Sequence, residues 1–201
     1  MNINIFERAK AIVLRPLETW QEIKGETIPG KQLFINYAAP LALIPTVCSL
    51  IGMTLIGIRM PAGDMLRIPF LTSLSGEIAA YVVGLLGIWI GAWVMKSLAS
   101  FFGAKSDLEL SLKVMIFSLT PAWLVGVFAL IPGLAILTFV GILYTVYLLT
   151  KGLSIVLETP DNKVILYTAA LLVLGAIINF FLSGWVMSQF YGPMYLKALA
   201  G

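Results

Sequence analysis

The chain has 201 residues, 60% of them apolar and only 11% charged. A soluble domain carries roughly a quarter charged residues, so the shortfall and the long apolar runs exclude an ordinary globular core and give an all-α polytopic membrane bundle. The net charge of +3 makes no case for nucleic acid, and the absence of histidine together with a single cysteine, Cys48, excludes an intramolecular disulfide and a His/Cys metal centre.

The opening segment, residues 1–32, reads as an amphipathic cytoplasmic or interfacial stretch preceding a five-span transmembrane domain, residues 33–201. Charges at Glu7, Arg8, Lys10 and Arg15 interrupt it, so it is no secretory signal. Ile5, Phe6, Ala9, Ile12, Val13, Trp20 and Ile23 recur at helical spacing. Asn4 and Glu7 resemble a capping box, and Pro16 suits the first position of a second short helix. Two placements are open: on the membrane surface, or packed beneath the loops of the bundle.

The first span is predicted at about residues 33–58, interrupted by Pro40 and Pro45, which free the carbonyls of Asn36 and Leu41. A loop follows, with Ser75 expected to cap the second span and Glu77 in its first turn. That span, about 78–99, carries Gly87 and Gly91 as a GxxxG match, read as tight packing within the bundle. Ser106-Asp107-Leu108-Glu109 is a capping box opening the third span, about 112–131. Pro121 lies inside it, with Ser118 and Thr120 near enough to serve the freed Phe117 carbonyl. The alternatives are a kink that shapes packing or a broken helix along a substrate path. Pro132-Gly133 separates it from the fourth span, about 134–150.

Thr159 and Pro160 are expected as N-cap and first position of the fifth span, about 164–187. Gly175, Asn179 and Ser183, spaced by four, share a face there. Asn179 is expected to face the bundle interior and to bond to another helix. The short tail carries Phe190, Tyr191 and Tyr195, suited to an interface. With five spans and the N-terminus inside, ten basic residues lie inside and Arg59, Arg67 and Lys197 outside, which favours a cytoplasmic N-terminus and an exoplasmic C-terminus.

No catalytic constellation is present. A Ser–His pair, paired intramembrane carboxylates and a phosphate-binding glycine loop are all missing. No residue is assigned to catalysis, a cofactor or a metal. The residues singled out as structural or path-lining are Pro121, Thr120, Pro132, Gly133, Gly87, Gly91, Gly175, Asn179 and Ser183.

The run Phe117-Ser-Leu-Thr-Pro121-Ala-Trp, then Ile131-Pro132, Leu143-Tyr144-Thr-Val-Tyr147-Leu-Leu-Thr-Lys-Gly152-Leu and Thr159-Pro160-Asp161-Asn-Lys163 resembles the bacterial branch of the Yip family of five-span membrane proteins. Arg15-Pro16-Leu-Glu-Thr-Trp20 is similar to that branch as well. The resemblance implies five spans, a cytoplasmic N-terminus and a bacterial inner-membrane location. Eukaryotic members associate with Rab-type GTPases. The expected role is non-enzymatic, either membrane-organising or partner-binding, with a transporter, channel or lipid-translocating protein as the alternative. The partners expected are membrane lipids and a protein partner or a second copy of the chain, with no nucleic acid and no cofactor.

Overall fold

The computed structural model describes residues 4–59 and 65–192. Among them five helices are long and apolar enough to cross a membrane: Gly30–Ile56, Phe70–Ala99, Leu108–Leu130, Thr138–Ile155 and Asp161–Tyr191. The all-α architecture expected from the sequence is what the chain adopts. Among the described residues the one departure is an antiparallel pair of two-residue strands, β1 (Ile58–Arg59) with β2 (Met65–Leu66), between spans one and two. Tyr195 and Lys197 lie outside the described residues.

Span three is the hub. Its most apolar window is 56% buried, against 11–28% for the other four, so it is the helix the others surround. Spans one, two and four pack on it, and span five packs on spans two and four. Helix α1 (Ile5–Leu14) rests against span three and helix α2 (Pro16–Gly25) against span four.

The opening segment follows its sequence signals closely. Asn4 caps α1 by accepting from the Glu7 amide at 3.2 Å, and Pro16 begins α2. Ala9, Ile12, Trp20 and Ile23 are buried in the main core, so the apolar stripe covers the bundle. Phe6, Leu14 and Leu17 remain exposed on the other side. Charged groups fasten this layer. Arg8 pairs with Glu22 and Glu26, Lys113 of span three donates to the Glu26 carbonyl, and Lys24 and Lys105 both reach Glu158 at 2.8 Å.

Several boundaries differ from the sequence reading. Span two begins at Phe70, after Pro69, so Ser75 is not its cap, and its hydroxyl donates to the Thr72 carbonyl. Phe70 and Leu71, within the stretch that reads as a loop between the first two predicted spans, form the first turn of the helix. The third span is capped by Asp107, which accepts from the Leu110 amide at 2.8 Å. Ser106 donates instead to the Lys96 carbonyl, and Glu109 accepts from the Gly30 amide at the start of span one. Regular helix in span four starts at Thr138, because Pro132–Leu137 winds as 3-10 turns. Span five starts at Asp161, and the Thr159 hydroxyl closes the end of span four by donating to the Leu153 carbonyl at 2.8 Å.

Candidate functional site

A half-open cleft of about 710 Å³ lies between spans one, two, three and five. It runs along a stretch of span five that stands off the core. That helix touches the bundle through Val164, Tyr167, Thr168 and Leu171 at one end and through Val186 and Tyr191 at the other. From residue 172 to 185 none of its residues is buried. At 1.5 Å per residue that stand-off is about 20 Å long.

Two tyrosines hold the ends. Tyr167 stacks on Phe102 with ring centroids 4.6 Å apart, and its hydroxyl donates to the Met95 carbonyl. Tyr191 lies on Gly76, where a Cβ would collide with its hydroxyl and ring. Met115 of span three reaches over Gly91 in the same way. Tyr191 on Gly76 and Tyr167 against Phe102 and Met95 thus join the two ends of span five to span two and the turn that follows it, while Met115 fills the space between spans two and three.

This arrangement separates residues that the sequence grouped. Gly91 is a packing glycine, but Gly84 and Gly87 have no atom within 4 Å of where a Cβ would stand. The GxxxG match is thus half packing and half open wall. Gly175, Asn179 and Ser183 line the cleft from span five, opposite Ala80, Gly84 and Gly87. Gly175 is equally uncrowded. Asn179 makes no bond to another helix among the described residues: Ser183 Oγ donates to its Oδ1 at 3.2 Å, within span five. The small residues of the two helices face the cleft rather than each other, and the contacts of span five with Phe102, Met95 and Gly76 lie at its two ends.

Thr120 and Pro121 are buried, and neither lines the cleft. The helix runs unbroken from Leu108 through Pro121 to Val125 and then tightens into 3-10 turns. Thr120 Oγ1 hydrogen-bonds the Tyr37 hydroxyl at 2.9 Å, tying span three to span one. Pro132 and Gly133 open the short 3-10 link between spans three and four, and Gly133 has open space around it and does not line the cleft.

The walls of the cleft are chiefly apolar, with polarity concentrated at the Tyr191 end. Glu77 lies there, only 8% exposed, in the third turn of span two. Ser49 of span one donates to its Oε1 at 2.8 Å, and the Tyr191 hydroxyl also hydrogen-bonds it. Among the described residues no lysine or arginine forms an ion pair with Glu77. Sequence reasoning placed this carboxylate at a helix start, where the dipole explains it. The available signal was Pro69, which marks an N-terminus two turns earlier and so carries Glu77 into the span. No group of three or more His, Cys, Asp or Glu side chains suited to a metal occurs among the described residues.

Comparison with known proteins places this geometry in context. The Yip1 domain family matches residues 10–182. The chain is similar to the protein named "Inner membrane protein YohC" in two strains of Escherichia coli, at 26% identity over 166 residues, 81% of this chain and 85% of each relative. No solved structure matches.

Proposed function

We propose, from the premise that the chain belongs to the Yip1 domain family, that it is a non-enzymatic membrane protein which binds a partner molecule inside the bilayer at the cleft beside span five. The observation that carries this reading is the stand-off of residues 172–185, which leaves a cleft of about 710 Å³ open along one side. That volume lies within the roughly 300–1,000 Å³ typical of sites for small ligands. A transporter needs polar groups along its path, whereas here they gather at one end and the middle of one wall. The inner-membrane setting named for the Escherichia coli relatives, with the N-terminus cytoplasmic, is the setting we propose for this chain too.

The test is photocrosslinking in cells. Benzoylphenylalanine is placed at Gly84, in the open wall, and separately at Ile165, which is 75% exposed on the outside of span five. A discrete adduct from position 84 that is absent from position 165 is the expected result. The same diffuse labelling from both positions would overturn the reading.

A further inference from the structure

We infer that the cleft is a seat for one phospholipid with a protonated amine headgroup, and that Glu77 receives the amine; this rests on the binding role proposed for the cleft. A carboxylate inside a membrane span is costly and ordinarily meets a cation or a water-filled space. Glu77 is 8% exposed, and the chain supplies it with the neutral hydroxyls of Ser49 and Tyr191. The group missing from this constellation is a cationic donor. An ammonium carries three donors and forms charge-assisted hydrogen bonds with a carboxylate, which are stronger than neutral ones.

The rest of the cleft specifies what the amine is attached to. From Glu77 the wall runs past Gly84 and Gly87 to Gly91, a rise of about 20 Å along the helix. Gly84 and Gly87 leave the backbone bare, so a slender chain can lie against span two. On the facing helix Ser183 and Asn179 come about two and three turns from Tyr191, between the polar end and the apolar remainder. Ser183 occupies the Asn179 oxygen, which leaves the amide N–H donors for a ligand carbonyl. A headgroup amine, ester carbonyls and an acyl chain follow one another in that order in a phospholipid. A free amine would leave the apolar wall unused, and a second transmembrane helix is too thick, at about 10 Å across, to lie the length of this volume.

The experiment is native mass spectrometry of the full chain in detergent, with phosphatidylethanolamine and phosphatidylglycerol of identical acyl chains added in equal amounts. The wild type is expected to retain one phosphatidylethanolamine with about tenfold preference, the ratio that one charge-assisted hydrogen bond supplies. Glu77→Gln is expected to lose the preference while still holding either lipid, and Gly87→Leu, which fills the open wall, to lose both. Circular dichroism of each variant checks that it is folded, and Glu77→Asp, which keeps the charge, is expected to restore the preference in part. Free ethanolamine at millimolar concentration is expected not to displace the lipid.

Equal retention of the two lipids by the wild type, an undiminished preference in Glu77→Gln, or displacement by ethanolamine would each overturn the assignment. The crosslinking experiment separates this failure from failure of the broader reading. A protein adduct at position 84 without lipid preference sinks only the lipid, and undifferentiated labelling sinks both.

Discussion

Gly152 of span four seats the indole of Trp20: a Cβ at Gly152 would stand 3.0 Å from Cη2 and Cζ2 of the ring and 2.9 Å from Val114 Cγ1. Trp20 is fully buried and meets Phe117 edge-on, with centroids 6.2 Å apart. The glycine is therefore what lets the amphipathic opening segment close on the bundle. Gly152→Ala is expected to cost about 1–3 kcal/mol, the usual range for overpacking a tight core. Thermal unfolding in detergent reads it, and limited proteolysis should release residues 1–25 first. Unchanged stability would mean that the indole sits more loosely than described.

The hydrogen bond between Tyr37 and Thr120, 2.9 Å long and buried, joins spans one and three next to Pro121. An interhelical bond of this kind contributes roughly 0.6–2 kcal/mol. Tyr37→Phe and Thr120→Val should each lower stability, and the double variant should be little worse than either. Strict additivity across that double-mutant cycle would show that the two hydroxyls do not act on each other.

Much of this architecture was legible because it rests on local rules. Five apolar runs gave five spans, Asn4 and Pro16 gave the first two helix starts, and buried Trp20 and Ile23 lay on the face that periodicity indicated. The cleft was not legible, because it depends on how far apart two helices stand. The glycine spacing of Gly87 and Gly91 is the same whether a helix, a methionine or nothing lies opposite. Only the positions of Met115, Tyr167 and Tyr191 decide between these, and their partners are 24 to 115 residues away in the chain. Glu77 was misplaced for a different reason. An apolar first turn at Phe70 and Leu71 looks like an interfacial loop until Pro69 is taken as the boundary.

At the end of span four, Glu158 holds Lys105 and Lys24, each at 2.8 Å, and adopts a left-handed backbone with φ of 52°. Hydrogen bonds from Lys105 and then Lys24 hold its carboxyl well below the usual carboxylate range, at about 2. Because the folded form binds its proton less readily than the unfolded one, the stabilisation is present above the ordinary carboxylate range. It fades as pH falls toward 2. The wild type should therefore lose thermal stability between about pH 4.5 and pH 2 more steeply than Glu158→Gln. Parallel pH profiles for the two proteins would remove this ion pair from the account, and high salt should narrow the difference because the group is exposed.

The distribution of basic residues sets an expectation for orientation. In a Cys48→Ser background, single cysteines at Ser106 and Gly201 are treated with a membrane-impermeant thiol reagent on intact cells. Labelling at 201 and protection at 106 are expected from the excess of lysine and arginine on one side. The reverse pattern would invert the bundle and put the layer formed by α1 and α2 outside.

Asn179 distinguishes a cleft from a packed interface. Were spans two and five in contact along their small residues, an amide at this depth would bond across the gap, and its loss would cost roughly 0.6–2 kcal/mol. In the structure its partner is Ser183, four residues along the same helix, and both side chains are exposed. Asn179→Leu is therefore expected to change stability by no more than about 0.5 kcal/mol, as for a residue away from any buried network. Gly76→Ala supplies the contrast. A methyl there meets the ring and hydroxyl of Tyr191, the pillar that fixes one end of the stand-off. It should lower the melting temperature clearly and loosen the contact of span five with Ser73 and Glu77. If Asn179→Leu proves as costly as a lost interhelical bond, the two helices close on each other in the membrane. The space beside Gly84 and Gly87 would then be occupied by the protein itself.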